Sequence, residues 1–324
     1  MMNILVSEIS YNKAKSTFEA LNASQDEFTF LPSAEDEPTL SARIREEGIR
    51  GFIADIYPYT GELYEAMPEG SVISRYGVGH DSIDKDKAVA NGITVCNTPG
   101  VLDNAVAEHA VWMLGALSRH VATADATTKA GKWEPQKGIE VAKRKVTILG
   151  CGRIGRNLAR KLGVGLSMEV TGYDIMENPD FGADSGIAHY TTNMDEALAD
   201  ADFVITLLPV LESTKHIANA EFFGKMKAGA RFINSARGAL VDEKALYDAL
   251  SSGHLGAAAL DVFEVEPYQP QDPAKDLRTL SNILVTPHVG SNTDESNAAM
   301  ASTAADNIMT FLKTGTCVNI VAKP

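Results

Sequence analysis

Cysteine is scarce in this chain, and basic residues are outnumbered by acidic ones. The 324 residues include only Cys96, Cys151 and Cys317, and none of these forms a CxxC pair. An odd number of widely spaced thiols argues against a disulfide framework or a zinc site, so we expect no metal and a reducing, cytoplasmic compartment. With 29 basic and 43 acidic side chains the net charge is −14, which disfavours nucleic acid and anionic membranes as partners.

Long hydrophobic runs are also missing. The most apolar helical stretch, 105–117, contains Glu108 and His109, and the N-terminus lacks the basic start and apolar core of a signal peptide. No internal repeat is visible. Because the most apolar stretch is short and contains charged residues, we expect no membrane span. The length exceeds what a single hydrophobic core comfortably fills, so we expect two domains.

Apolar runs alternate with helical patterns along the whole chain. Strands are predicted in a first series at 4–6, 51–54, 72–74 and 93–96, and in a second at 146–149, 170–173, 203–207, 232–233, 257–260 and 283–285. Predicted helices cover 12–21, 61–67, 83–90, 103–118 and 293–312. Alternation of this kind implies parallel strands joined by right-handed crossovers. The sequence therefore predicts an α/β fold with two doubly wound parallel-sheet domains, and the final helix is expected to return to the first.

A GxGxxG motif opens the second series. It follows a predicted strand and precedes a predicted helix, which is the context of a dinucleotide-binding turn. Gly150 allows the tight turn, Gly152 lets the backbone approach a pyrophosphate, and Gly155 lets helix and strand pack closely. The candidate cofactor-binding residues of this turn are Gly150, Gly152, Arg153, Ile154 and Gly155.

An acidic residue ends the next predicted strand. Asp174 lies 19 residues beyond Gly155, where a carboxylate accepts hydrogen bonds from ribose hydroxyls and repels a 2′-phosphate. The cofactor expected from this pattern is NAD rather than NADP.

Four charged or ionisable side chains follow the later strands of the second series. Arg237, Asp261, Glu266 and His288 come after the runs 232–233, 257–260 and 283–285, and ligands of such sheets bind at the carboxyl ends of strands. Arginine suits a carboxylate, histidine titrates near neutrality, and a neighbouring carboxylate orients the histidine. This set suits the reduction of a 2-oxo acid by hydride and proton transfer.

Six motifs in order resemble those of the D-isomer-specific 2-hydroxyacid dehydrogenases, and the resemblance covers nearly the whole chain. Beside GxGxxG, the motifs lie at 75–84 (RYGVGHDSID), 97–100 (NTPG), 234–238 (NSARG), 261–267 (DVFEVEP) and 286–290 (TPHVG). The resemblance implies a Rossmann NAD-binding domain, 101–290, inserted into a flavodoxin-like substrate domain, 1–100 plus 291–324. It also implies a homodimer formed through the nucleotide domain.

Roles for individual residues follow from the same resemblance. Arg237 would bind the substrate carboxylate and carbonyl, His288 would be the acid/base, and Glu266 its partner. Asp261 would contact the nicotinamide carboxamide. Backbone amides of Val78 and Gly79 would hold the substrate carboxylate from the other domain, and the product would be a D-hydroxy acid.

The substrate itself stays open among 3-phosphoglycerate, hydroxypyruvate, glyoxylate and similar acids. Arg75, just before the Val78 loop, is placed to pair with a second anionic group, as in phosphoglycerate dehydrogenases. Asp55 stands where those enzymes usually present a basic residue, and it would repel a phosphate if it faced the pocket. Hydroxyls of Tyr57 and Tyr59 are candidates for contacts to a polar tail. His80 is either a pocket residue or a filler of the loop. Trp133 is either a core aromatic, which the sequence favours, or a residue that reaches an active site across a dimer interface.

Two other functions are compatible with this scaffold. An NAD-sensing, corepressor-like binding protein has the same scaffold, and fold alone does not exclude it. Formate oxidation releases no hydroxyl proton and needs no Glu–His pair, so Glu266 disfavours it. The intact Arg237, Glu266 and His288 set favours an enzyme.

Overall fold

The computed structural model describes residues 1–176 and 185–324, which divide into two units. The first unit comprises Met1–Leu102 and Asn292–Pro324, and the second comprises Asp103–Ser291. The second unit is therefore one continuous segment placed within the sequence of the first. Elements are numbered along the chain.

The first unit contains a six-stranded sheet with helices around it. Its strands are β1 (Met2–Ser7), β2 (Phe28–Ser33), β3 (Gly51–Ala54), β4 (Val72–Arg75), β5 (Thr94–Cys96) and β13 (Ile320–Ala322), and its helices are α1 (Glu8–Lys13), α2 (Lys15–Ser24), α3 (Glu37–Glu47), α4 (Glu62–Ala66), α5 (Lys85–Ala90) and α12 (Asp294–Thr314). The order β13-β5-β4-β3-β1-β2 is parallel except for β13, which runs antiparallel to β5. Strands β1 to β5 follow the flavodoxin-like order.

The second unit contains a seven-stranded, wholly parallel sheet. Its strands are β6 (Lys145–Leu149), β7 (Glu169–Tyr173), β8 (Ile187–Thr191), β9 (Phe203–Thr206), β10 (Arg231–Asn234), β11 (Ala257–Leu260) and β12 (Ile283–Val285), and its helices are α6 (Asp103–Arg119), α7 (Val121–Lys129), α8 (Arg153–Arg160), α9 (Met194–Ala199), α10 (Ala220–Lys225) and α11 (Glu243–Ser251). A π-helical turn, Lys161–Gly165, extends α8, and short 3₁₀ turns cover Gly238–Leu240, Pro273–Lys275 and Leu277–Thr279. The spatial order of the strands is β12-β11-β10-β9-β6-β7-β8. From β6 the chain first adds strands on one side and then, from β9, on the other, which is the Rossmann arrangement. The predicted fold class is confirmed.

Successive residues of the central strands pack into different apolar layers. Phe203 and Ile205 of β9 lie in one buried cluster, and Val204 between them lies in the other. The same division separates Ile233 from Phe232 in β10. Because helices cover both faces of the sheet, both sets of side chains are apolar, and the strands form continuous hydrophobic runs rather than alternating ones.

Helix α12 closes the first unit by packing on β3 and β4. Thr293 caps its N-terminus, and Gly315 ends it in a left-handed conformation. Asn307 is buried in the middle of α12; its amide donates to the Asn97 carbonyl at 2.8 Å and accepts a bond from Asn319 at 2.9 Å. A buried amide satisfied in this way fixes the helix against the end of β5 and the C-terminal segment.

Several local predictions need correction. The helix expected over 12–21 is two helices that meet at Ala14, where the backbone leaves helical geometry (φ −130). Strands β2, β8 and β13, all at sheet edges, are not among the predicted strands. β2 contains Pro32 and β8 is partly polar, and edge positions tolerate both. In the described part of the chain, no helix is long and apolar enough to span a bilayer.

Candidate active site

The glycine turn connects β6 to α8 in the second unit. Gly150 has φ 101, and a Cβ on Gly155 would lie 2.1 Å from the Gly150 carbonyl oxygen, so only glycine allows helix and strand to approach this closely. A Cβ on Gly152, by contrast, would meet no atom of the described chain within 4 Å. Gly152 caps α8 without a side-chain hydrogen bond, so the first amides of this helix are oriented toward a site that suits a phosphate.

Two side chains flank this turn. The Arg153 guanidinium donates from Nε to Asp103 on α6 at 2.8 Å, so the Arg153 side chain is tied to that helix. Asp174, at the end of β7, is half-buried and accepts a hydrogen bond from the Cys151 amide at 2.9 Å. The structure therefore places a carboxylate directly beside the glycine turn.

The catalytic candidates stand at the carboxyl ends of three neighbouring strands. Arg237 follows β10, Asp261 and Glu266 follow β11, and His288 follows β12. Since β11 pairs in parallel with both β10 and β12, these ends share one edge of the sheet. The second unit thus brings to one edge candidate residues that lie up to 51 positions apart in the sequence.

Glu266 and His288 form a hydrogen-bonded pair. His288 Nδ1 lies 2.6 Å from Glu266 Oε2, and the other carboxylate oxygen accepts the Phe263 amide at 2.9 Å. Both side chains remain partly exposed, at 31% and 24%. With Nδ1 directed to a fixed carboxylate, Nε2 is the ring nitrogen that lies outside this pair.

Asp261 holds the turn that carries His288. Its buried carboxylate accepts the amides of Val289 and Gly290 at 2.9 and 2.8 Å and the Thr286 hydroxyl at 2.5 Å. His109 Nε2, on α6, lies 3.3 Å from the same carboxylate.

Burial alone would raise the pKa of Asp261, but hydrogen bonds, led by those from His109 and Thr286, outweigh it and lower the pKa. Both Asp261 oxygens are used within the chain. The contact with the cofactor that the resemblance implies for this residue stays a prediction.

Asn234 and Gly238 fix the turn that carries Arg237. The buried Asn234 amide donates to the Arg237 carbonyl at 2.8 Å and accepts the Ala236 amide at 3.1 Å. A Cβ on Gly238 would lie 1.9 Å from the Phe263 carbonyl, so this turn lies directly against the segment that leads to Glu266.

The sequence alone predicts no site role for Asn234, Thr286 or His109. Asn234 and Thr286 are polar residues in the motifs quoted above, at the end of an apolar strand and just beyond one, which was an available signal. From the sequence alone, His109 is predicted to be structural because it follows no strand end. Its contacts reach the Thr286 hydroxyl, at 3.2 Å, and Asp261, so only the tertiary structure connects it with the site.

The predicted substrate loop lies in the first unit. Val78 accepts a hydrogen bond from the Asn97 side chain at 2.8 Å, and the Thr98 amide donates to the Gly77 carbonyl at 3.0 Å. A Cβ on Gly77 would lie 2.4 Å from an Arg75 guanidinium nitrogen, so the buried Arg75 side chain packs directly against this loop. Val78 and Gly79 are half-exposed beyond it.

Asp55 introduces a buried negative charge near this loop. Its carboxylate lies 3.3 Å from Lys13 Nζ and accepts the Ser10 hydroxyl at 2.8 Å. Burial would raise the pKa of Asp55, but the positive charges of Lys13 and Arg75 outweigh it and lower the pKa. Asp55 therefore stays charged and offsets part of the Arg75 charge.

The remaining candidates in this region separate by burial. Tyr59 is a core residue, and burial raises the pKa of its phenol; its hydroxyl is not presented to solvent, contrary to the expectation from sequence. The Tyr57 ring lies 5.3 Å from the Tyr59 ring, centroid to centroid and tilted by 50°, and Tyr57 is 37% exposed. His80 Nδ1 lies 3.2 Å from Lys85 Nζ.

Within residues 1–176 and 185–324, no group of three or more metal-ligating side chains could hold an ion.

A family model for the NAD-binding domain of D-isomer-specific 2-hydroxyacid dehydrogenases matches residues 111–290. The chain is also 37% identical over 260 residues to a glyoxylate reductase of Korarchaeum cryptofilum, covering 78% of this chain and 76% of that protein. This chain belongs to the D-isomer-specific 2-hydroxyacid dehydrogenase family. It is accordingly a nicotinamide-dependent oxidoreductase.

Two further similarities indicate the breadth of this dehydrogenase family. D-3-phosphoglycerate dehydrogenase 2 of Arabidopsis thaliana is 39% identical over 259 residues, which cover 78% of this chain but 40% of that longer protein. The solved structure of an NADPH-dependent glyoxylate/hydroxypyruvate reductase from Sinorhizobium meliloti, in complex with citrate, matches with a TM-score of 0.85 and 28% identity, covering 99% of this chain and 98% of that one.

A buried acidic cluster adjoins the site of this dehydrogenase. Glu243 accepts the Glu264 amide at 2.8 Å, and Glu264 in turn pairs with His216 Nε2 at 2.8 Å. Glu264 precedes Glu266 by two residues, so the cluster supports the segment that carries the His288 partner. Burial raises the pKa of Glu243 to about 7.

Replacement of Glu243 by glutamine should change how stability depends on pH. The ordinary pKa of 4.5 applies to the unfolded chain and about 7 to the folded one, so the folded state holds more protons between these values and wild-type stability falls as pH rises through that window. Because a glutamine side chain cannot ionise, the free energy of unfolding of Glu243→Gln should rise relative to that of wild type by ~1–3 kcal/mol between pH 5 and pH 8. Urea unfolding at a series of pH values measures this difference. Exposed Glu212→Gln is the control, and parallel curves for wild type and Glu243→Gln would contradict this account.

Proposed function

We propose that this protein is an NAD-dependent D-2-hydroxyacid dehydrogenase that reversibly interconverts a small 2-oxo acid and its D-2-hydroxy acid. The observation that carries the proposal is the 2.6 Å contact between His288 Nδ1 and Glu266 Oε2. This pair stands at the same sheet edge as Arg237. A proton donor, its orienting carboxylate and a fixed cation are what 2-oxo acid reduction requires.

The roles follow from the chemistry of each group. Arg237 binds the substrate carboxylate and polarises its carbonyl, since its planar guanidinium stays charged and forms paired hydrogen bonds. His288 delivers a proton from Nε2 to the carbonyl oxygen in reduction and removes it in oxidation, while Glu266 stabilises the protonated ring. Amides of Val78 and Gly79 hold the substrate carboxylate. The nicotinamide cofactor, when bound, supplies or accepts the hydride.

We assign the cofactor as NAD because Asp174 places a carboxylate beside the glycine turn. Its contact with the Cys151 amide holds it where an adenosine ribose would lie, and a negative charge there repels a 2′-phosphate. Gly150, Gly152, Arg153, Ile154 and Gly155 would cradle the pyrophosphate, with Arg153 acting through its backbone because its side chain is tied to Asp103.

We further propose glyoxylate or hydroxypyruvate, rather than a phosphorylated acid, as the substrate class. Asp55 is charged, buried and electrostatically coupled to Arg75. Because this carboxylate offsets the Arg75 charge, a second strong anion such as a phosphate would gain less attraction there than beside an unopposed arginine.

His288→Ala should lower kcat by about 10²–10⁴-fold while NADH affinity changes little, because the ring donates a proton and does not hold the dinucleotide. Stopped-flow turnover and fluorescence titration with NADH measure the two quantities. His189→Ala is the matched control, since His189 also pairs with a glutamate, Glu196, at 2.9 Å. Equal losses of turnover and NADH binding would show that His288 is structural instead.

A panel of 2-oxo acids tests the substrate and the cofactor together. Loss of reduced-cofactor absorbance should be faster with glyoxylate or hydroxypyruvate than with 3-phosphohydroxypyruvate, and faster with NADH than with NADPH. Asp55→Asn should raise kcat/KM for the phosphorylated acid selectively, because it removes the opposing charge. A wild-type preference for the phosphorylated acid would refute the substrate assignment, and a preference for NADPH would refute the role of Asp174.

We also propose a cytoplasmic homodimer. The second unit exposes Trp112 (68%) on α6 and Trp133 (87%) beyond α7, so Trp133 is not the core residue that the sequence favours. Helix α7 itself buries none of its residues. A nine-residue helix without a buried face is marginal alone, so a second copy covering α7 and the tryptophans accounts for both observations. The scarcity of cysteine in the sequence suits a reducing compartment.

Sedimentation velocity tests the assembly. Wild type should sediment as twice the 34.7 kDa chain, and a double variant, Trp112→Asp with Trp133→Asp, should shift to the monomer because a charge replaces each exposed aromatic ring. Val318→Asp, at a residue of the first unit that is 95% exposed, should stay dimeric. A monomeric wild type would contradict the proposed homodimer.

A further inference from the structure

Two of the three cysteines face each other in the first unit. Cys96 ends β5 and Cys317 precedes β13, 221 positions later, yet their Sγ atoms lie 3.0 Å apart. That is about 1 Å beyond the length of a disulfide bond. The wide spacing of the cysteines along the sequence does not predict this contact. Cys96 is buried and Cys317 is half-buried.

The surrounding backbone holds the two sulfurs in register. Ile320 of β13 pairs with Cys96, and the Asn97 amide donates to the Asn319 carbonyl at 3.2 Å. Asn319 is tied in turn to Asn307 of α12 at 2.9 Å. The approach of the sulfurs is therefore set by strand pairing and by a buried amide network, not by two mobile side chains meeting on a surface.

We propose that Cys96 and Cys317 form an oxidisable thiol pair, which a peroxide converts into an intramolecular disulfide. The pair is a modification site separate from the catalytic edge of the second unit. Its reduced form is the one in the structure.

The two thiols take different parts in the reaction. Cys317 is the accessible sulfur, so its thiolate attacks hydrogen peroxide, breaks the O–O bond and becomes a sulfenic acid while hydroxide leaves. Cys96 is fully buried, and burial raises the pKa of its thiol, so it reacts second. Cys96 sulfur attacks the sulfenic sulfur, the S–O bond breaks, and the Cys96 proton leaves with hydroxide as water. In sum, two thiols and one peroxide give one disulfide and two waters.

The disulfide would connect the two stretches of chain that build the first unit. It would join β5 to the segment before β13 and close a covalent ring that contains the whole second unit. A ring of this length restricts the unfolded chain strongly, so oxidation should stabilise the first unit. Dithiothreitol should reverse the effect.

The test uses the full-length protein, reduced, desalted and exposed to a small molar excess of hydrogen peroxide. Non-reducing digestion and mass spectrometry should recover a peptide that links Cys96 to Cys317, with Cys151 still free after denaturation. The oxidised protein should melt several degrees higher than the reduced protein. Cys317→Ser should give neither the linked peptide nor the shift, and it is expected to fold because Cys317 is half-exposed.

Three outcomes would overturn the proposal. One is recovery of Cys317 as sulfinic acid with Cys96 still free, which would show that the buried thiol cannot reach its partner. Another is a linkage that includes Cys151 or joins two chains. The third is a Cys96–Cys317 linkage that forms only in urea, since the folded arrangement would then contribute nothing. Circular dichroism of each sample verifies that the native fold is present.

Discussion

The buried carboxylate of Asp261 organises the sheet edge that carries the catalytic candidates of the second unit. An ionised carboxylate without partners would cost several kcal/mol in this position, so its bonds to Thr286, Val289 and Gly290 are obligatory. These residues flank His288 on both sides. His288 adopts a positive φ of 53, an unfavourable conformation for a side chain of this size, and the clamp compensates for it.

The rest of the edge depends on close backbone approaches. Gly238 packs against the Phe263 carbonyl, and the Asn234 side-chain amide donates a hydrogen bond to the Arg237 carbonyl. Phe263 also donates its amide to Glu266. The segments that carry Arg237 and Glu266 therefore support each other, so a disturbance of one is transmitted to the other. The roles proposed for His288 and Arg237 depend on this rigidity, because a proton donor and a guanidinium act together only from fixed positions.

In the first unit, a buried carboxylate is compensated by nearby positive charges. Asp55 is buried among Lys13, Ser10 and Arg75, which fixes a compensated cluster beneath a loop that the resemblance assigns to substrate. Ion pairs of this kind contribute little net stability but define which charges a ligand encounters. The cysteine pair lies in the same unit, where the strand pairing of β13 with β5 determines its geometry.

The sequence by itself determined the fold class, the family and the nicotinamide cofactor, and it selected Arg237, Glu266 and His288. It could do so because hydrophobic period, glycine spacing and polar residues at strand ends are local signals. It missed β2, β8 and β13, which are edge strands and carry weak patterns. His109, Asn234 and Thr286, the burial of Tyr59 and the Cys96–Cys317 contact were decided only by the tertiary structure. Each depends on which strands become neighbours, and that pairing joins residues up to 221 positions apart, for which the chain carries no local signal.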